Sequence, residues 1–316
     1  MRLGIGALNG MGENRSEEEE MIKILVDSCA DLSADLLEKY DLDYVHMNTV
    51  YNGEETEASL TWDHYSPKQL YDVMRAGERV TTTQVPVEEF TRVFRSYLEK
   101  GYDIIYIGCS IKQSGSVNTG YMVAKQLLDE FAGRKIECID SLNASIGEGM
   151  LGILATELLW AGKNFEEIVT MVKEARNHVN EFATVHTLEY LRRAGRVKGG
   201  KAFFGNLMGV KPILIADAEG EQTPIKKARG RLGSFQMLVD SVAEVIEDAE
   251  NQVIYLSHAD CPQEEIDQLK RMLLEKVRCK DIVIGYIGPI VGASVGPDTI
   301  GLWCFGKEVT YRASEN

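Results

Sequence analysis

No two of the six cysteines (Cys29, Cys109, Cys138, Cys261, Cys279, Cys304) stand close enough to make a Cys-x-x-Cys pair. The scatter argues against both a structural zinc site and a disulfide framework. Several of them sit in apolar runs such as Ile104-Ile-Tyr-Ile-Gly-Cys109, where a reduced thiol behaves as a small hydrophobe. Histidine is also scarce, with five in the chain and no two at metal-ligating spacing. No apolar run approaches the roughly 20 residues needed to cross a bilayer. Basic charge is in deficit: 34 Lys and Arg against 49 Asp and Glu leave a net charge of −15. A field of that sign repels phosphate backbones and anionic headgroups, so neither a nucleic-acid partner nor electrostatic membrane docking is expected. Residues 1–20, ending in Ser16-Glu-Glu-Glu-Glu20, lack the basic start and apolar stretch of a signal peptide and read as a polar tail. A cytoplasmic location is the expectation.

What is present is a core. The apolar fraction of 44% over 316 residues suits one large α/β domain or two ordinary ones. Ile22-Lys-Ile-Leu-Val26 predicts a buried strand ending at Asp27-Ser28, with a short helix over Leu32 to Tyr40. Ser66-Pro67 and Val85-Pro86-Val-Glu-Glu read as helix starts, the second running through Lys100. Strand 103–109, helix 117–131, strand 135–139 and helices 145–162 and 165–180 follow. This βαβα rhythm predicts a mainly parallel sheet covered by helices. The second half differs. It holds candidate strands at Phe182–His186, Pro212–Ala216, Gln252–Ser257, Ile282–Ile287 and Leu302–Phe305, with helices at 232–249 and 262–276. The expected organisation is therefore two α/β domains, 21–180 and 181–316, behind the tail. There is no fixed-period repeat.

Three polar segments fall where strands end, the usual ligand position in an open α/β sheet. They are Thr81-Thr82-Thr83-Gln84, Ser110 to Ser116 with the run Ser114-Gly115-Ser116, and a loop from Gly288 to Thr299 that contains Ser294. Hydroxyls with free N–H groups at helix starts can hold an anion without a cation, although any one such cluster can equally serve capping and turn chemistry. Asp27 and Asp140, at strand ends, could order loops or line a pocket mouth. His186 and His258 fit structural roles better than ligand contacts. The basic stretch Gly195-Arg196-Val-Lys198-Gly-Gly-Lys201 has the spacing of neither a phosphate loop nor a dinucleotide fingerprint, and reads as a solvated loop or a partner surface. Met208, Met237 and Leu238 could be core or tunnel lining.

Taken in order, these segments resemble the DegV family. Asp27-Ser28 is similar to the start of that family, Thr82-Thr83-Gln84 to its Thr-Ser-Gln segment, Ser110 to Ser116 to its Ser-Ser-x-Leu-Ser-Gly-Thr loop, and Asp140-Ser141 to its next strand end. His186-Thr187-Leu188-Glu189-Tyr190-Leu191-Arg192-Arg193-Ala194-Gly195-Arg196 resembles its Thr-Leu-x-x-Leu-x-x-Gly-Gly-Arg signature. Lys211-Pro212, Lys227-Ala-Arg229, Gly288-Pro289 and Gly296-Pro297 continue the match over about residues 22–310. The resemblance implies a DegV-like pair of α/β domains enclosing a fatty acid, in a non-catalytic binding subunit that presents the acyl carboxylate to a separate fatty-acid kinase. By position it implies carboxylate contacts from Thr82 and Ser114, with Thr83, Gly115 and Ser294 close by, and partner-facing roles for Arg196 and Arg229. No cofactor, metal or catalytic residue is implied, and a monomer is the simplest expectation. One departure stands out: Ser294 occupies the place of a family histidine, and a serine can replace a hydrogen bond but not a proton or a positive charge. Other readings of the residues are a stand-alone serine hydrolase or phosphotransferase, and a regulatory protein whose lipid is structural.

Overall fold

In a computed structural model, residues 21–197 and 209–315 are described. Strands β1 (Ile22–Asp27) and β6 (Asp103–Gly108) are buried along their whole length. They pair in parallel at the centre of a four-stranded sheet, flanked by β2 (Asp43–Val45) and β7 (Ile136–Asp140) in the order β2-β1-β6-β7. Continuous apolar runs suit such strands because helices cover both faces of a parallel sheet. Helices α3 (Val87–Leu98) and α4 (Ser116–Glu130) lie on one face, where Phe90, Phe94, Val123 and Leu127 pack against Leu25, Ile104 and Tyr106. Helices α5 (Ile146–Trp160) and α6 (Phe165–Ala175) lie on the other. The short α1 (Ala34–Lys39) is capped by Ser33, whose hydroxyl accepts from Leu36 N.

Between β2 and α3 the chain builds a small antiparallel sheet, β4 (Glu54–Glu57), β3 (Asn48–Tyr51) and β5 (Thr81–Thr83), together with α2 (Pro67–Arg75). Thr81–Thr83, expected as a loop, is thus a strand, and Thr82 pairs with Thr49. The β3–β4 hairpin turns at Asn52-Gly53, both with positive φ, as a two-residue turn of that type requires.

The second sheet has six strands in the order β10 (Gln222–Arg229), β9 (Val210–Ala216), β8 (Val179–Thr184), β13 (Ile300–Phe305), β11 (Val253–His258) and β12 (Asp281–Tyr286). Only β11 and β12 are parallel neighbours. The helix expected over 165–180 ends at Ala175, one 3₁₀ turn follows, and β8 starts at Val179 because its backbone is captured by β13. Helices α8 (Gly230–Val245) and α9 (Gln263–Lys276) cover the outer face of this sheet. Met237 and Leu238 belong to that core, and Met208 lies outside the described residues.

Helix α5 joins the two sheets. Its sequence is apolar nearly all round, the signature of a helix buried on every side. It packs on β1 and β6 of the first sheet and on β8 and β13 of the second, so Trp303 and Tyr255 share a core with Val26 and Leu151. Close approach depends on small residues: a Cβ on Gly149 would lie 2.6 Å from the Ala30 carbonyl oxygen. The halves are also tied by Tyr71, whose hydroxyl donates to Ile287 O at 2.6 Å, and by Arg75, which bridges Asp260 (2.6 Å) and Asp298 (2.8 Å). The segment expected as a third loop contains helix α10 (Pro289–Val295), with proline in its first turn and Gly296 ending it at φ 82°.

Buried Glu181 on β8 is held by Gln222, whose side-chain amide donates to both carboxylate oxygens at 2.8 and 3.0 Å. Burial outweighs those bonds and raises its pKa to about 7. The folded form therefore keeps a proton that the unfolded chain has already lost. Stability falls as pH rises from the ordinary carboxylate range to about 7 and is flat above it, with a total on the order of 3 kcal/mol. Denaturant titrations at pH 5 and pH 7 should show a smaller fall for Glu181→Gln than for the unaltered chain, and equal falls would contradict this account.

Candidate functional site

The chain leaves β1 toward β2 on one side and returns as β6 on the other, which opens a crevice at the carboxyl ends of these strands. Asp27 closes β1 there, fully buried. Its carboxylate accepts from Cys29 N (2.8 Å), Tyr106 OH (2.7 Å) and Cys109 N (3.2 Å), binding the end of β1 to the end of β6. Burial raises its pKa, and these three bonds offset the rise only in part. Asp140, at the end of β7, accepts from Ile111 N (3.3 Å) and Leu142 N (2.9 Å). Both aspartates therefore order loops, and the Ser110 to Ser116 segment is fixed at its base by the neighbouring strand ends.

That segment is then clamped to β5. Ser114 N donates to Ser110 O at 2.9 Å, and the Ser114 and Ser116 hydroxyls share a hydrogen bond of 3.0 Å. Ser116 Oγ accepts from Val85 N at 3.2 Å, and Gln84 Nε2 donates to Thr119 Oγ1 at 2.9 Å. Gly115 has no room for a side chain: a Cβ would sit 2.0 Å from Gln84 Oε1. These contacts bring Thr82 and Ser114, 32 residues apart, to one place.

The place is a cavity of about 130 Å³, and Thr82, Thr83, Ser114, Gly115 and Ser294 all line it. Its apolar wall comes from Met47, Ala144, Leu191, Ile290, Val291 and Val295. Among the described residues the Thr82 and Ser294 hydroxyls have no hydrogen-bond partner. The Thr83 hydroxyl is already committed, donating to Glu55 Oε1 at 2.8 Å on the exposed side of the strand. Arg196 also lines the cavity, and its Nε donates to Gln113 O at 3.0 Å. It extends into an adjoining recess of about 270 Å³ that shares Thr82 and Ser294 and adds Arg79 and Arg193. Arg229 is exposed at the junction of β10 and α8 and lines neither space. Lys198 and Lys201 of the basic stretch lie outside the described residues.

Sequence reasoning did not select Gln84, Gln113, Gln222, Cys29 or Cys109, which also line the cavity. Gln84 and Gln113 lie within segments that were selected and Cys29 and Cys109 adjoin selected residues, whereas Gln222 reaches it from the second sheet with no local signal. The cavity wall holds no histidine among the described residues. His186 contacts Lys211 Nζ at 3.2 Å through Nδ1. His258 stacks at a tilt on Tyr286, and burial lowers its pKa to about 4.

The clamp makes a testable demand. Gly115→Ala must turn the Gln84 amide aside and should cost about 1 kcal/mol of stability, the scale of its hydrogen bond to Thr119. Because Gln84 is what it strikes, adding Gln84→Ala should cost less than the sum of the single changes. Strict additivity in chemical denaturation would show that the two residues do not meet.

Known proteins carry the same architecture. The family model described as "Uncharacterised protein, DegV family" matches residues 21–307. A DegV domain-containing protein of Clostridium perfringens is 32% identical over 284 residues, 90% of this chain and 97% of that protein. Two solved structures are similar over the whole of their chains. One, reporting fatty acid binding of a DegV family protein from Thermus thermophilus, has 26% identity and a TM-score of 0.81 over 91% of this chain. The other, a DegV lipid binding protein from Thermotoga maritima, has 26% identity and a TM-score of 0.78 over 92%. Fold, ordered motifs and matched length converge, and this chain belongs to the DegV family.

Proposed function

We propose that this protein is a fatty-acid-binding protein that buries an acyl chain against the apolar wall of the cavity and holds its carboxylate among Thr82, Ser114 and Ser294. The observation that carries the reading is the meeting, in one cavity, of the uncommitted Thr82 and Ser294 hydroxyls, with that of Ser114 beside them, and aliphatic side chains from both halves of the molecule. An acyl tail of about fourteen methylenes gains roughly 0.8 kcal/mol for each one buried, on the order of 11 kcal/mol before association and ordering costs. Tail burial then supplies affinity, while the hydroxyls set orientation and compensate the desolvated carboxylate. Neutral donors leave an oxygen available for transfer, which a bidentate arginine clamp would not. Ser294 contributes a hydrogen bond and no charge.

The protein is read further as a cytoplasmic monomer that presents the carboxylate to a separate fatty-acid kinase. The recess lined by Arg79, Arg193 and Arg196 supports this, since it places cationic groups beside Thr82 on an otherwise acidic protein and would favour an incoming phosphoryl donor. Among the described residues no helix is long and apolar enough to cross a membrane. A serine-hydrolase role for Ser114 lacks support, because its hydroxyl is paired with that of Ser116.

Organic extraction of the purified chain followed by mass spectrometry should recover fatty acid that exchanges with added labelled acid. Lipid that never exchanges would favour a structural role, and failure to bind any added fatty acid would end the proposal. Thr82→Ala and Ser114→Ala should each weaken binding by about 1 to 3 kcal/mol, the scale of a lost hydrogen bond to a charged group. Thr83→Ala should do less, because its hydroxyl already serves Glu55. Unchanged affinity in both of the first two variants would show that the carboxylate sits elsewhere. Arg196→Ala and Arg229→Ala should keep the bound lipid but slow its phosphorylation by a partner kinase. Wild-type rates would remove both arginines from the docking surface.

A further inference from the structure

In and behind the cavity wall lies a group of side chains to which the acyl reading assigns no polar role. Cys29 follows β1, Cys109 follows β6, and Glu148 sits in the first turn of α5. The two sulfurs and a Glu148 carboxylate oxygen all lie within 4.8 Å of one another, and all three residues are buried. Glu148 Oε1 accepts from Asp27 N at 3.0 Å, but Oε2 has no partner although it is fully enclosed. An unpaired buried carboxylate oxygen is costly and calls for a ligand.

We propose that Cys29, Cys109 and Glu148 form a site for a soft divalent cation of the Zn²⁺ class in the wall of the cavity. Two thiolates select such an ion over Mg²⁺ or Ca²⁺, which prefer oxygen ligands. In a tetrahedral zinc site the ligand atoms stand roughly 3.6–3.8 Å apart, given Zn–S near 2.3 Å and Zn–O near 2.1 Å. The present spacing closes to that by side-chain rotation of about an ångström. On binding, the ion takes both sulfurs and one carboxylate oxygen, and the two S–H protons, together with any held by Glu148, pass to solvent.

The surroundings fit this use. A single carboxylate, that of Asp27, accepts from the backbone N–H of both cysteines, while the Asp27 N–H orients Glu148. All three ligands thus share one supporting residue, which holds the two cysteine backbones and the Glu148 carboxylate in place. None of the hydrogen bonds to Asp27 or Glu148 comes from a lysine or arginine. Cys29 and Cys109 also line the cavity, so an ion held by them would border it.

The test is a Co²⁺ titration of the full, delipidated chain under a non-thiol reductant. One equivalent should produce a thiolate-to-cobalt charge-transfer band and tetrahedral ligand-field absorption, both removed by stoichiometric Zn²⁺. The Cys29→Ser/Cys109→Ser double variant should lose the charge-transfer band, and Glu148→Gln should keep it with binding weakened about tenfold or more. Cys261→Ser should behave as the parent. Absence of the band in the unaltered chain overturns the proposal whether or not the variants fold, and so does its survival in the double cysteine variant. The readout is the metal's own absorption, so it is independent of the acyl reading.

Discussion

The buried carboxylate of Asp27 is the interaction on which the rest of the site depends. A carboxylate taken out of water needs its lone pairs filled, and here the donors are two backbone N–H groups and a tyrosine hydroxyl from the ends of two adjacent strands. Satisfying it fixes the directions in which the chain leaves β1 and β6. Everything nearer the cavity inherits that fixity: the loop from Ser110, the start of α4 and, through Val85 and Gln84, the strand that carries Thr82. The hydroxyls are therefore held by a rigid frame rather than by a mobile loop, as a site that must orient a ligand requires.

The electrostatic design is local rather than global. A chain with a net charge of −15 repels fatty-acid anions at a distance. Near the cavity that field is countered by a cluster of arginines drawn from separate parts of the chain, Arg79 from the segment before β5 and Arg193 and Arg196 from the end of α7 (Glu189–Ala194) and the residues after it. Inside, neutral hydroxyls take over. On the proposed reading, charge would gather the ligand at the entrance and hydrogen bonds would position it within.

Much of this was legible in the sequence. The apolar runs of β1 and β6 announced a parallel sheet, and Asp27, Asp140 and the Ser110 to Ser116 segment marked its strand ends. Thr81–Thr83 was missed as a strand because three threonines show no apolar alternation and their pairing partner, β3, lies 30 residues upstream. The Asn52-Gly53 turn was the available clue to that sheet. Helix α10 was hidden because a seven-residue segment with glycine and proline has little helical signal. Strand β10 was obscured by Pro224, which falls at an irregularity in its pairing. The 165–180 helix was overextended because local pattern cannot see β13 capturing Val179. The arrival of Arg196 beside Thr82 is purely tertiary, although Glu148 in the first turn of a largely apolar helix was a visible anomaly.

Helix α5, packed on both sheets, bears on how a ligand would come and go. Separating the sheets would wet Trp303, Tyr255 and several aliphatic side chains at once, each at a cost of about 1.5–3 kcal/mol. A clamshell motion is therefore closed to this architecture, and the two sheets travel as one body. On the other side the cavity is lined by Leu191 of α7 and by Ile290, Val291, Ser294 and Val295 of α10, helices only six and seven residues long. A ligand exchanging through this side would meet two short helices and leave the two-sheet core intact.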